Sequence, residues 1–380
     1  MSITAKIEVK GQDLLAALED FFRSVLQLDD VSAVLIPQRL PMKNVVMPAL
    51  ITDPDELRGI DPLAPYFPMN ASKVVSRLTR KPIGGKIVAV LRPCEMRAFV
   101  ELVKLNQGKT DDLVMVGLDC LGAYSNRDYF QFVGEDLKKS TVQFYTNVLS
   151  GKGGQNGDID LTSACKACEH PFPTGADVLI GLLGVATESQ LLVQSQSTAG
   201  EELLGRLNLK STKEPSTRKE AIDALLAERT AFRDQMFLET SEATNDLEKL
   251  TVYLANCVNC YNCRVACPVC YCKECVFVTD VFNHDPSQYL QWSRRKGTIK
   301  MPTDTVFYHI TRLAHISTAC VGCGQCSNAC PNDIPVMELF RTIAQRTQAA
   351  FDYEAGRDIN EAPPLSVFRE EEFADVVGID

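Results

Sequence analysis

Two cysteine runs near the C-terminal end place the strongest constraint on what this chain can fold into. Both follow the spacing C-x2-C-x2-C-x3-C-P; the first contains Cys257, Cys260, Cys263 and Cys267, and the second contains Cys320, Cys323, Cys326 and Cys330. In this pattern three thiolates on one tight loop bind a single cubane, and the fourth cysteine binds the neighbouring cluster. The spacing therefore predicts two [4Fe–4S] clusters, one on Cys257, Cys260, Cys263 and Cys330 and the other on Cys320, Cys323, Cys326 and Cys267.

Zinc and disulfides are the alternatives for so many cysteines. A structural zinc ion needs four thiolates, usually as two separated C-x2-C pairs, so zinc fits this octet poorly. The chain has 15 cysteines in 380 residues. Disulfide scaffolds are short and carry an even number of cysteines, so an odd number in a long chain argues against them.

Two features depart from a compact ferredoxin. Residues 276–319 form an insertion between the two runs, and His309 and His315 lie there on a helical pattern, which favours hydrogen-bonded packing residues over ligands. The first run is also followed by three further cysteines, Cys270, Cys272 and Cys275. These can form part of an extra metal site, replace other ligands, or pack as small buried thiols.

The first half of the chain has the pattern of a covered sheet. Residues 86–91 and 112–117 are continuous apolar runs, and a helical pattern at 95–104 follows the first of them. Such strands are buried on both faces, which predicts an α/β domain whose mixed sheet is flanked by helices and is at least partly parallel. Cys94 and Cys120 follow the two strands, so they can share the sheet edge where ligands bind.

The domain prediction has four parts. Residues 1–209 form the α/β domain, in which the glycine-rich stretch 151–157 lacks the spacing of a nucleotide loop and is expected to be a flexible turn. Residues 210–250 form a helical linker, with a capping box at Thr217 and Glu220 opening a helix over 217–239. Residues 251–348 form an α+β ferredoxin-like domain for two clusters. Residues 349–380 form an acidic arm that is either a solvated tail or lies across a partner subunit.

Four cysteines outside the ferredoxin runs equal one further set of cluster ligands. Cys94 and Cys120 follow strands, and Cys165 and Cys168 form a C-x2-C pair. An unpaired C-x2-C in a reducing compartment usually holds metal. We therefore expect a third [4Fe–4S] cluster, although two buried thiols and an incidental C-x2-C are the simpler alternative.

These segments carry a resemblance. Residues 91–98 and 117–122, and the Cys165/Cys168 pair with Ala176 and Asp177 downstream, are similar to the beta-subunit family of coenzyme F420-reducing hydrogenase and formate dehydrogenase. Residues 257–275 and 320–326 resemble most closely the formate dehydrogenase branch. The similarity covers roughly residues 30–345. It departs from the hydrogenase branch in placing the ferredoxin runs after the α/β domain.

The resemblance implies an α/β domain that carries FAD and a [4Fe–4S] cluster. The flavin would exchange hydride with a two-electron carrier such as coenzyme F420, and the clusters would pass single electrons to or from a catalytic subunit of formate dehydrogenase, hydrogenase or heterodisulfide reductase type. The residues we nominate for the flavin are Asn70, Ala71, Ser72 and Arg92. A polar loop that closes a helix N-terminus at Ser72 is the alternative.

Charge and hydropathy narrow the classes of function. The formal charge of −10 argues against nucleic-acid binding, no apolar run reaches the length of a membrane span, and the first residues do not form a signal peptide. We therefore expect an electron-transfer subunit of a cytoplasmic oxidoreductase complex. Two other functions stay open, a flavin-free ferredoxin-like adaptor between redox partners and a self-contained reductase acting on a small molecule.

Overall fold

The computed structural model describes residues 2–41, 43–81, 84–279, 285–296 and 302–367. In this part of the chain the strands are β1 (Thr4–Glu8), β2 (Val31–Arg39), β3 (Val46–Ile51), β4 (Lys86–Leu91), β5 (Leu113–Leu118), β6 (Val178–Gly181), β7 (Gln190–Ser195) and β8 (Lys210–Ser211). The helices of the first half are α1 (Leu14–Leu26), α2 (Ser72–Arg80), α3 (Pro93–Lys104), α4 (Asn126–Phe132), α5 (Leu137–Leu149), α6 (Ser163–Lys166) and α7 (Thr198–Gly205). Those of the second half are α8 (Thr217–Thr244), α9 (Leu247–Tyr253), α10 (Asn262–Ala266), α11 (Pro286–Lys296), α12 (Pro302–Ile316), α13 (Gln325–Asn328) and α14 (Val336–Ala350).

The eight strands form one mixed sheet in the order β3-β2-β4-β5-β6-β7-β1-β8. The central strands β2, β4, β5 and β6 are parallel, whereas β3, β7, β1 and β8 join in antiparallel pairs. This confirms the predicted α/β fold with a partly parallel sheet. The carboxyl ends of β4 and β5 meet at one edge, which brings the segments that carry Cys94 and Cys120 to that edge.

Both faces of the sheet are buried, which explains the continuous apolar strands. In β4, Val88 and Val90 belong to the core on the side of α1. Ile87 and Ala89 belong to the core on the other side, with Val75 of α2 and Phe99 of α3. Alternate side chains of a strand point to opposite faces, so a strand covered on both sides must be apolar throughout.

A buried ion pair fixes α8 to the sheet. Asp119, directly after β5, accepts hydrogen bonds from the amides of Leu182 (2.8 Å) and Leu183 (2.9 Å). Its two carboxylate oxygens also accept from Arg218 of α8, at 2.5 and 2.9 Å. Both charged side chains are buried. The segment 210–250 thus adds β8 to the sheet and anchors the first turn of the long α8 beside β5 and β6.

We expect Asp119→Ala to lower the free energy of unfolding by about 3–5 kcal/mol, since it leaves a buried guanidinium without its partner and two amides without their acceptor. The midpoint of thermal unfolding measures this. The exposed Asp111 offers a matched Asp→Ala control. A midpoint no lower for Asp119→Ala than for the control would contradict the anchoring role.

The described residues of the cysteine-rich part, 251–348, form helices and loops around a second apolar core. Its two cysteine loops have the predicted ferredoxin-type arrangement, but in the described residues helices rather than strands connect them. The insertion contributes α11 and α12. No described helix is both long and apolar enough to cross a lipid bilayer.

The segment after α14 folds back onto the chain itself. The Tyr353 hydroxyl donates to both carboxylate oxygens of Glu101 in α3, at 2.7 and 2.8 Å, and the amide of Gly356 donates to the same carboxylate at 2.7 Å. Lys104 completes the group with a 2.9 Å hydrogen bond to the Tyr353 hydroxyl oxygen. The start of the predicted acidic arm therefore joins the cysteine-rich part to α3, and residues 368–380 of that arm lie outside the described residues.

Candidate metal centres

Three cysteines of the first ferredoxin loop meet Cys330 of the second run, and these are the four cysteines predicted for one cluster. Positive φ angles at Asn259 and Tyr261 turn the chain between successive cysteines. One cavity is lined by all four of the predicted ligands, Cys257, Cys260, Cys263 and Cys330. Burial raises the pKa of the Cys257 thiol, and the neighbouring thiols raise it further. We call this group the outer site, because Cys260 is exposed.

The other predicted set, which we call the middle site, consists of three cysteines of the second loop, Cys320, Cys323 and Cys326, and of Cys267 from the first run. Gly322 and Gly324 have positive φ angles and allow the loop to close on itself. Burial raises the pKa of Cys320, Cys323 and Cys326, and for each of them Cys267 is the strongest neighbouring charge that raises it further. Cys267 of the first run is therefore a neighbour of the three cysteines of the second loop, and its crossing to their cluster stays a prediction.

The four outlying cysteines also meet, in what we call the inner site. Cys94 begins α3, Cys120 follows β5, and Cys165 and Cys168 lie on and just after α6. One cavity is lined by all four of them and by Cys323 of the middle site. Burial raises the pKa of Cys94 and Cys120 above the ordinary thiol value. The inner and middle sites are therefore direct neighbours.

Buried thiols of this kind suit a cluster. Without metal, burial keeps the thiols protonated, and binding to iron replaces the protons and supplies compensating charge. Among the described residues, no three His, Cys, Asp or Glu side chains are arranged to hold a single metal ion. A cubane has a different requirement, because each of its thiolates binds a different iron.

A close contact joins the inner and middle sites. Gly324, between two cysteines of the middle site, packs on Ala164, which directly precedes Cys165 of the inner site. A Cβ atom at Gly324 would lie 2.5 Å from the Ala164 Cβ, which is closer than any stable contact. Arg341 and Arg233 both form ion pairs with Glu169, next to Cys168. We call this contact region between the inner and middle sites the seam.

The three extra cysteines follow the middle site's Cys267. Cys270 and Cys275 are partly buried, and Cys272 is exposed. Burial raises the pKa of Cys270 to about 11, with Cys267 as the next contribution. The described residues do not gather these three thiols into a metal site of their own, and their role stays open.

Helix α12 of the insertion supplies contacts to the outer site that the sequence did not indicate. Arg312 donates to the Cys263 sulfur at 3.1 Å, the Tyr308 hydroxyl oxygen lies 3.4 Å from the same sulfur, and His309 Nε2 lies 3.5 Å from the Cys257 sulfur. Burial, followed by the charge of Arg312, lowers the pKa of His309 to about 4. His309 is thus buried as expected, but it faces a thiol. The signal available in the sequence was the placement of these residues on one helical face.

The residues nominated for a flavin have protein surroundings. Arg92 donates to the carbonyls of Ala64 (2.8 Å), Tyr66 (3.0 Å) and Gly122 (3.4 Å), and its guanidinium lies over the Phe67 ring. Glu95 accepts from the Ala71 amide at 2.7 Å, and Asn70 accepts from the Ser72 amide at 3.0 Å. Asn70, Ala71 and Ser72 are all buried.

This loop instead contacts the middle site. The Phe67 carbonyl accepts hydrogen bonds from Gln325 (2.8 Å) and Asn328 (3.1 Å), which lie on α13 beside Cys326. The cavity next to Arg92 and Cys120 has a volume of about 20 Å³, against about 300–1,000 Å³ for a typical small-molecule pocket. Arg92 is thus held by protein carbonyls beside a small cavity, and flavin binding at the four residues stays a prediction.

The folded chain is thus a cysteine-rich redox protein in which an α/β domain adjoins a ferredoxin-type module. A family model for a 4Fe-4S binding domain matches residues 314–336, the region of the second cysteine run.

The full-length similarity is to beta subunits. The chain is 28% identical over 373 residues to the F420-dependent formate dehydrogenase subunit beta of Methanocaldococcus jannaschii, a match that covers 92% of this chain and 93% of that protein. It is 26% identical over 307 residues to the F420-dependent formate dehydrogenase 1 subunit beta of Methanococcus maripaludis, with 74% and 75% covered. The resemblance indicated by the cysteine motifs is therefore confirmed.

A solved structure also matches. It is a chain of the F420-reducing [NiFe] hydrogenase complex from Methanosarcina barkeri, with a TM-score of 0.46 and 15% identity. The match covers 65% of this chain and 94% of that one.

Proposed function

We propose that this protein is an iron–sulfur electron-transfer subunit of a cytoplasmic oxidoreductase complex, with the inner, middle and outer sites each holding one [4Fe–4S] cluster. The observation that carries the proposal is the gathering of twelve cysteines into three groups of four, two of them around shared cavities. Clusters of this type accept and donate one electron at a time. The protein's own contribution is to hold the three sites in sequence.

The order of the sites follows from their contacts. Cys323 of the middle site lines the cavity of the inner site, and Cys267 and Cys263, at the two ends of α10, belong to the middle and outer sites. Cys260 of the outer site is exposed, and the neighbouring Val258 and Val265 are more than 60% exposed. We therefore place the contact with a redox partner on this face of the outer site.

The names of the relatives supply the substrate and partner side of the proposal. They are beta subunits of F420-dependent formate dehydrogenases, so we propose a formate dehydrogenase-type catalytic subunit as the partner. We propose coenzyme F420 or a similar two-electron carrier as the other electron donor or acceptor. Substrate chemistry would then take place on the partner subunit.

The flavin is the part of the proposal with the least structural support. A hydride carrier exchanges electrons in pairs, so coupling it to clusters requires a cofactor such as FAD. Arg92 and the loop that precedes Asn70 already form hydrogen bonds within the protein. These hydrogen bonds favour the second candidate, a flavin-free ferredoxin-like adaptor between two redox partners.

Anaerobic reduction experiments separate the two candidates. Reduced coenzyme F420 is added to the purified chain with and without FAD, and the visible absorbance of the clusters is followed. Reduction that requires FAD and disappears in Cys94→Ala supports the flavin-linked subunit. Clusters that are reduced by dithionite, but not by reduced coenzyme F420 with or without FAD, support the adaptor. A chain whose absorbance does not respond to dithionite would contradict both.

A further inference from the structure

Helix α12 approaches the outer site with three side chains from one face. Tyr308, His309 and Arg312 are each at most 4% exposed, although α12 belongs to an insertion that a two-cluster module does not need for its ligands. Burying an arginine is costly unless its charge is compensated. A buried arginine, phenol and imidazole that all face thiols therefore call for an explanation beyond packing.

The strongest contact is that of Arg312. Its Nη1 lies 3.1 Å from the Cys263 sulfur, and its Nη2 lies 3.2 Å from the Cys263 carbonyl oxygen. The guanidinium therefore donates two hydrogen bonds to the same ligand residue. The guanidinium is held by aromatic rings, with its carbon 4.6 Å from the centre of Phe340 and 5.4 Å from that of Tyr308. This packing fixes the cation at the sulfur.

Tyr308 and His309 extend the contact to a second ligand. The Tyr308 hydroxyl is 3.4 Å from the Cys263 sulfur and His309 Nε2 is 3.5 Å from the Cys257 sulfur. A sulfur bound to iron carries no proton, so in the loaded protein the hydroxyl and the imidazole must be the donors. Two of the outer site's four ligands thus receive hydrogen bonds from one helix.

The middle site also has cationic neighbours. Arg341 and Arg97 line cavities beside Cys320 and Cys323, but their guanidinium groups donate to the Val321 carbonyl and to Glu354. Arg312, in contrast, donates directly to a ligand sulfur of the outer site. The described parts of the two ferredoxin-type sites therefore differ in how a cation contacts the sulfurs.

We propose that Arg312, assisted by Tyr308 and His309, raises the reduction potential of the cluster at the outer site. This inference rests on the proposed function, because it assumes a cluster there. A reduced cluster is more negative than an oxidised one, so a fixed cation and hydrogen bonds to sulfur stabilise the reduced form. The three side chains are positioning residues.

The test is a redox titration of the anaerobically purified full chain, followed by electron paramagnetic resonance, with iron per chain measured first. The outer-site signal is assigned by its loss in Cys260→Ala. In Arg312→Gln we expect the equilibrium constant for reducing this cluster to fall about tenfold, equivalent to about 59 mV for one electron. Tyr308→Phe should give a smaller shift in the same direction, and Arg312→Lys an intermediate one.

The control is Arg346→Gln, which removes one positive charge at an exposed position where the side chain contacts Ser241. It should leave the outer-site midpoint unchanged. If Arg312→Gln loses iron, Tyr308→Phe decides, since it removes only a hydroxyl. Unchanged midpoints in variants with a full iron content would overturn the tuning role alone, whereas a wild-type chain without iron would overturn the proposed function as well.

Discussion

Replacing Cys323 with alanine is expected to remove about four irons per chain, one cubane's worth. Cys323 is partly buried, and the thiols of Cys267 and Cys320 are its neighbours in the middle site. Because binding of a cluster is coupled to folding of its loops, the variant should also unfold at a lower temperature. Iron and acid-labile sulfide per chain, with thermal unfolding, measure both effects.

Cys323 also lines the cavity of the inner site, so the two sites must be shown to be separate. Cys94→Ala should by itself remove about four irons, and the double variant about eight. A double variant that loses only as much iron as either single variant would show one shared cluster and contradict the assignment. Cys272→Ala is the matched control, because Cys272 is exposed and belongs to none of the three sites.

Replacing Gly324 with alanine is expected to force apart the loops of the inner and middle sites. The new methyl would meet the Ala164 Cβ at 2.5 Å, and the residue would have to keep a φ of +79°. Overpacking costs about 1–3 kcal/mol, and the left-handed backbone adds about 1–2 kcal/mol. We expect a lower unfolding midpoint together with loss of iron.

Two variants isolate the contact from the backbone effect. Gly153 has a φ of +77° and no atom within 4 Å of an added Cβ, so Gly153→Ala shows the backbone cost alone. Adding Ala164→Gly to Gly324→Ala removes the clashing methyl and should restore part of the stability and the iron content. Equal effects of Gly324→Ala and Gly153→Ala would show that the seam does not depend on this contact.

Local sequence patterns predicted two strands of the eight-stranded sheet and the grouping of the cysteines. The apolar run at 86–91 and the helical pattern after it correspond to β4 and α3, because burial on both faces leaves a continuous hydrophobic signal. The ligand spacing is likewise local. The predicted helix at 217–239 is present but extends to Thr244.

The remaining features depend on contacts between distant segments. The carbonyls around Arg92, the contact of Phe67 with α13, and the docking of Tyr353 on Glu101 join parts of the chain that no short pattern relates. The insertion could be recognised from the distance between the two cysteine runs. The hydrogen bond from Arg312 to the Cys263 sulfur could not be predicted, because it joins distant parts of the chain. A polar loop and a ligand loop look alike in sequence until their neighbours are known.

The most direct test of the account is the iron, sulfide and zinc content of the full chain after anaerobic purification. Three cubanes predict about twelve irons and about twelve sulfides per chain, with no stoichiometric zinc. About eight irons would contradict the inner site and leave a two-cluster module. Zinc in place of iron at the twelve cysteines would contradict the electron-transfer function itself.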